Sequence, residues 1–153
     1  MKIIHVAGFS NSGKTTFITK LIPVLTKHGK VGVIKHLGHH RYEAEEKMEQ
    51  KDTSKFFAEH ADLVAGIDKE KTVITVPSTS LADVTSLYFA LGMNYAIIEG
   101  FRTLPCKKVW LGTPEDAKKL GIASYCILWN PGIEDVIRDL DAFDSFDHGF
   151  FAA

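Results

Sequence analysis

Residues Gly8-Phe9-Ser10-Asn11-Ser12-Gly13-Lys14-Thr15 satisfy the pattern G-x-x-x-x-G-K-[ST] at every fixed position. The chemistry this spacing serves is the holding of a phosphate chain. Its negative charges are stabilised by a row of backbone N–H groups converging on a helix N-terminus. Glycine at positions 8 and 13 lets the backbone close around the ligand in dihedrals that a Cβ would disfavour. Lys14 would reach the terminal phosphates and the Thr15 hydroxyl would serve Mg²⁺, while Ser10, Asn11, Ser12 and Thr16 complete the cradle. A plainer reading is a Gly/Ser-rich turn that happens to precede a helix. Against it stands the context: Ile3-Ile4-His5-Val6-Ala7 reads as a short buried strand, and Phe17, Ile18, Leu21, Ile22 and Leu25 recur at helical spacing.

Outside this P-loop, or Walker A segment, Glu99 is the best-placed carboxylate. It follows the apolar run Tyr95-Ala96-Ile97-Ile98, and in open α/β sheets ligands bind beyond the carboxyl ends of the strands. A lone carboxylate delivered there can orient Mg²⁺ or its water. Asp52 is a second metal candidate, although an Asp at such a boundary is commonly no more than a helix N-cap. Lys35 and Arg102 can each contact a phosphate or stand as surface charge. His36, His39 and His40 could be read as a metal cluster. No Cys or carboxylate at ligand spacing completes that set, so polar loop chemistry facing a ligand or partner is the better reading.

The elements that must position these groups alternate along the chain. The first helix should run from the P-loop to about His28, kinked at Pro23 and stopped by Gly29. Val31 to Ile34 reads as a strand ending at Lys35-His36. Residues 37–50 show no stable apolar face and read as a mobile functional loop. A helix is expected from about Asp52 to His60, then an antiparallel hairpin of Leu63–Ile67 and Thr72–Val76. Ser78 or Ser80 should start a helix that Gly92 ends. Strands are expected at Tyr95–Ile98, Lys108–Leu111 and Tyr125–Trp129, and helices at Pro114–Leu120 and Glu134–Leu140. The phenylalanine-rich end, Phe143 to Ala153, should pack on the body or on a second subunit. This alternation predicts an α/β fold of three layers, a mostly parallel sheet with an antiparallel hairpin, in one domain over residues 1–153.

Composition excludes several function classes. A hydrophobic content of 45% and a charged content of 24% are ordinary for a soluble globular domain. A formal net charge of −1 argues against nucleic acid as the main partner. No run is long and apolar enough for a membrane span, and no signal-peptide pattern precedes the first strand, so a cytoplasmic location is expected. Cys106 and Cys126 lack zinc-ligand spacing and read as two buried thiols. Charge distribution says more than the sum. Every charged side chain before Glu43 is basic, which would draw a polyphosphate toward the P-loop. From Asn130 onward acids predominate over the single Arg138, as on a solvated helix face.

With the pieces placed, about the first 110 residues resemble the MobB family, the B proteins of molybdopterin guanine dinucleotide biosynthesis. The resemblance is carried by Gly8 to Thr16, Leu21-Ile22-Pro23, Ile34-Lys35-His36, His39-His40, Lys51-Asp52-Thr53, Ala61 and Glu99-Gly100-Phe101-Arg102. Asn94 stands where the family carries an acid, and Glu49-Gln50 where it carries Pro-Gly. The resemblance implies a GTP-binding adapter with at most a weak, Mg²⁺-dependent GTPase activity, working as a homodimer beside a molybdopterin guanylyltransferase and molybdopterin carrier proteins. It adds weight to Asp52 as a metal residue, so the expected site has Lys14, Lys35 and Arg102 as catalytic residues at the phosphates and Thr15, Asp52 and Glu99 at the metal. The residues themselves leave guanine and adenine open, since no N-K-x-D occurs and Asn130-Pro131-Gly132 lacks the Lys and the Asp. A small-molecule kinase or ATP-dependent ligase on the same scaffold is the alternative, with residues 39–50 as its lid, and a regulatory module without turnover is a third reading.

Overall fold

The computed structural model describes residues 1–38, 55–56, 58–77 and 80–146. They fall into two compact units, Met1–His36 with Leu81–Ala153, and Leu37–Ser80. The first unit holds strands β1 (Lys2–Gly8), β2 (Val31–Lys35), β5 (Tyr95–Glu99), β6 (Lys108–Leu111) and β7 (Cys126–Trp129). They form one sheet in the order β2-β5-β1-β6-β7, and every pairing in it is parallel. Its helices are α1 (Lys14–Leu25), α2 (Leu81–Ala90), α3 (Pro114–Lys119) and α4 (Ile133–Arg138). The second unit contains an antiparallel pair, β3 (Val64–Ile67) with β4 (Thr72–Thr75). Among the described residues no helix is long and apolar enough to cross a membrane.

Period-two alternation explains why β1 is apolar almost throughout. Its even-numbered residues Ile4 and Val6 pack with Ile18, Leu21 and Leu25 of α1, with Ile97 and Val109 of the flanking strands, and with Val136 of α4. Ile3 and Ala7 face the other way, Ile3 against Ala96, Ile98 and Phe146, and Ala7 against Trp110, Ala117 and Ile122. A central parallel strand covered on both faces needs such a run. Burial of side chains such as Leu21 and Leu25 contributes about 2 kcal/mol each toward the fold.

Several boundaries differ from the sequence expectation. α1 ends at Leu25 rather than His28, two residues past Pro23, because the backbone then tightens. Thr26 N–H still reaches Ile22 O, but Lys27 N–H and His28 N–H reach back only three residues, to Val24 O and Leu25 O. α4 likewise stops at Arg138, and Leu140–Ala142 forms a 3₁₀ turn. α3 begins where its signals lie: Pro114 is its first residue and Thr113 Oγ1 accepts from Asp116 N–H at 3.3 Å. Of the helix expected from Asp52 to His60, Lys55, Phe56 and Ala58 are helical, and its start lies outside the described residues.

The tail resolves one alternative. Phe143 and Phe146 are buried on their own unit, Ser145 forms an antiparallel bridge to Lys2, and Ile3 N–H donates to Asp144 O. At these positions the chain end packs on its own body rather than on a second subunit. Phe150 and Phe151 lie outside the described residues.

Candidate nucleotide-binding site

The P-loop joins β1 to α1 at the C-terminal edge of the sheet, next to the end of β5. Gly8 passes so close to its neighbours that a Cβ there would lie 2.5 Å from both Leu111 O and Ser12 Oγ. Gly13 sits at φ 86°, a left-handed conformation, and caps α1 without offering a side-chain oxygen. The first turn of α1 holds no acidic side chain. Its leading N–H groups therefore have neither an intrahelical acceptor nor a capping side chain, which is the electrostatic setting of an anion site.

Charged groups from three elements meet here. Lys14 Nζ donates to Phe9 O at 2.6 Å and lies 3.5 Å from Ser12 Oγ, curling over its own loop. Burial lowers the Lys14 pKa, Glu99 works against that shift, and Arg102 and Lys35 add to it. Thr15 Oγ1 donates toward the Glu99 carboxylate, 3.2 Å from Oε1 and 3.4 Å from Oε2. Lys35, last residue of β2, places Nζ 3.8 Å from Glu99 Oε1. The register aligns these ends, since Lys35 pairs with Glu99 and Glu99 with Val6. Arg102 lies over the Phe9 ring at 4.9 Å, and Phe9 meets Trp110 edge-on at 6.0 Å. Lys14 and Lys35 thus flank one carboxylate and Arg102 bears on Lys14, an excess of positive charge suited to polyphosphate.

The turn after β5 is tightly specified. Gly100 has φ 96°, and a Cβ on it would lie 2.8 Å from His36 Cβ. Phe101 follows at φ 45° and stacks on the His36 ring, with centroids 4.3 Å apart. His36 is therefore bound up in this turn, while His39 and His40 lie outside the described residues. Asp52 lies outside them too. Among the described residues no three His, Cys, Asp or Glu side chains cluster in a way that could hold a metal ion.

Beside the phosphate cradle opens a cavity of about 450 Å³, lined by Ser12, Gly13, Thr16, Phe17, Lys20, Leu111, Pro131, Gly132 and Ile133. In the sequence, Asn130-Pro131-Gly132 stands only as an incomplete base-recognition motif. Asn130, at φ 45°, uses Oδ1 to accept from Gly112 N–H and Nδ2 to donate to Gly112 O, each at 2.9 Å. Its amide is spent on holding the β6 and β7 ends together, and the two residues after it wall the cavity.

Comparison with known proteins assigns the chain. Residues 3–124 match the family described as MobB: Molybdopterin guanine dinucleotide synthesis protein B. The chain belongs to the MobB family. It is 36% identical over 121 residues to the probable molybdopterin-guanine dinucleotide biosynthesis adapter protein of Bacillus subtilis, covering 77% of this chain and 69% of that protein. It is 28% identical over 120 residues to the adapter protein of Haemophilus influenzae, covering 77% and 67%. The crystal structure of Bacillus subtilis MobB aligns with a TM-score of 0.62 at 28% identity, over 78% of this chain and 72% of that one. A MobB homolog from Bacillus stearothermophilus, at 20% identity and a TM-score of 0.60, shares the fold over 93% and 94% of the two chains.

Asn94, a departure from the family pattern, can be understood physically. Its Oδ1 accepts from Lys30 N–H at 2.8 Å, while its backbone N–H and C=O pair with Lys30 and Lys2. The position needs an acceptor, and a neutral amide oxygen supplies it as an acid would.

Proposed function

We propose that this MobB-family chain is a GTP-binding adapter in molybdopterin guanine dinucleotide biosynthesis, with a weak Mg²⁺-dependent GTPase activity. The observation that carries the nucleotide part is the meeting of Lys14, Thr15, Lys35, Glu99 and Arg102 around the free N-terminus of α1. Phosphoryl transfer depends on positioning and on charge stabilisation. The α1 amides and Lys14 would hold the phosphates, and Lys35 and Arg102 would offset charge from the sides. Lys14 would leave Phe9 O for the phosphates on binding. The cavity beside Gly13 and Thr16, large enough for a nucleoside, would receive ribose and base between Phe17 and Pro131.

The metal donors are hard oxygens, as Mg²⁺ requires: the Thr15 hydroxyl and the Glu99 carboxylate, already within hydrogen-bond distance of each other. Bound there, Mg²⁺ would neutralise charge on the outer phosphates. Lys35, 3.8 Å from Glu99 Oε1, would orient the carboxylate in its absence. Asp52 remains a proposed further donor.

The role as adapter follows the names of the relatives. Its partners would be a molybdopterin guanylyltransferase and a molybdopterin carrier, in the cytoplasm, with the proposal taking residues 1–153 as one functional domain. We place homodimer formation at the β3–β4 pair, which carries the exposed side chains Ile67, Val73 and Ile74 and is flanked by exposed Leu63 and Val76. Titration of the purified chain with GTP and with ATP, each with and without Mg²⁺, tests the reading. Tighter GTP binding enhanced by Mg²⁺ supports it; a preference for ATP with turnover on an acceptor would replace it with the kinase.

A further inference from the structure

Below the loop that carries Arg102, on the sheet face away from α1, lie two polar side chains that phosphate binding does not use. Alternation along β1 places His5 on that face with Ile3 and Ala7. β6 pairs with β1 in register, His5 opposite Lys108, so both side chains come to one place. Both are fully buried.

Among the described residues no carboxylate stands within ion-pair distance of Lys108. Its Nζ donates to Arg102 O at 3.0 Å and to Leu104 O at 2.6 Å, and stands 5.7 Å from the centre of the Tyr125 ring. Burial holds its ammonium below the usual value. A cation buried on neutral acceptors alone is costly, and an apolar residue of the same length would fill the space more cheaply. His5 holds the same loop. A carbonyl can only accept, so His5 Nε2–H donates to Gly100 O at 2.7 Å, which leaves Nδ1 to accept from the Cys106 thiol at 3.3 Å. Three alternate carbonyls of the segment, those of Gly100, Arg102 and Leu104, are thus tied down from beneath. Above it, the Arg102 guanidinium rests on Phe9 of the P-loop and bears on Lys14.

We infer that Lys108 and His5 are positioning residues for the nucleotide site: they fix the backbone from Gly100 to Leu104 so that Arg102 meets the phosphate chain. The inference rests on the nucleotide-binding reading above and adds to it the part that aims one of its cations.

The test is a double-mutant cycle on the full chain, with inorganic tripolyphosphate and GTP as probes. Lys108→Met keeps the length of the stem and removes the ammonium. Its folded protein should bind both probes about tenfold more weakly than wild type, whereas in an Arg102→Ala background the same substitution should change nothing further. Equal losses in the two backgrounds would mark Lys108 as a purely structural residue and overturn the inference, as would undiminished affinity in folded Lys108→Met. Should Lys108→Met not fold, Lys108→Gln and His5→Leu go through the same cycle, and the same two results support or overturn the inference. A wild-type chain that binds neither probe overturns the nucleotide reading and this inference together, a result distinct from a binding wild type whose Lys108→Met protein is unaffected.

Discussion

Removal of the Lys14 ammonium is the most direct probe of the phosphate cradle. Hydrogen bonds to charged groups contribute about 1.5–3 kcal/mol, so Lys14→Ala should lower GTP affinity by roughly ten- to a hundredfold. The fold should survive, since the side chain's partners are a carbonyl and a hydroxyl of its own loop; unchanged affinity measured by calorimetry would contradict the phosphate role. Glu99→Gln separates metal from phosphate. It removes a negative charge beside the phosphates, so metal-free binding should hold or tighten while the enhancement by Mg²⁺ falls, and equal losses with and without Mg²⁺ would exclude Glu99 from the metal site. His5 yields a prediction in pH. Burial lowers its pKa from 6.5 to about 4, so the unfolded chain takes up a proton that the folded chain refuses across that interval. His5 therefore costs nothing above pH 6.5, and the stability it leaves intact there is lost as pH falls toward 4, by about 3 kcal/mol in all. Urea denaturation across this range should show a shallower acid slope in His5→Gln than in wild type.

At the scale of elements, the parts that were legible in sequence are those whose chemistry is local. Gly8 and Gly13 announce a backbone that must close, and an apolar strand ending in Glu99-Gly100 announces a carboxylate at a sheet edge. Lys108 and Asn130 were not legible. A lysine beside Lys107 looks like surface charge until the register of β6 against β1 turns it under the loop, and the hydrogen bonds of Asn130 to Gly112 span 18 positions. Both roles come from tertiary contacts that no short window contains. Two substitutions test these turns. Gly100→Ala forces a Cβ into a left-handed position 2.8 Å from His36 Cβ, and should destabilise the protein by at least about 1 kcal/mol in thermal unfolding. Asn130→Ala removes two hydrogen bonds and should cost about 2 kcal/mol. It should also weaken GTP more than tripolyphosphate, because Pro131 and Gly132 wall the cavity next to the cradle rather than the cradle itself.

For the molecule as a whole, the question is which surface brings two chains together, and the tail and the hairpin make opposite predictions. Phe143 and Phe146 are inside their own unit, and Lys107 N–H donates to Asp144 Oδ2 at 2.7 Å while Phe146 N–H donates to Met1 O at 2.8 Å. A chain ending at Asp141 loses two buried phenylalanines, each worth about 3–5 kcal/mol in such a core, against a total stability of about 5–15 kcal/mol for a domain. Truncation should therefore unfold the chain, and circular dichroism should register this before any change of assembly can be read. The hairpin is different. β3 and β4 pair only with each other among the described residues, and Ile74 is 47% exposed at the middle of β4. An apolar strand edge of this kind invites pairing with a second copy, a charge on it discourages pairing, and a two-fold arrangement closes on itself. Ile74→Lys should accordingly sediment as a monomer at micromolar concentrations where the full chain sediments as a dimer, with GTP affinity preserved in both. A monomeric full chain over that range would end the dimer proposal, and a dimer undisturbed by Ile74→Lys would move the interface off the hairpin.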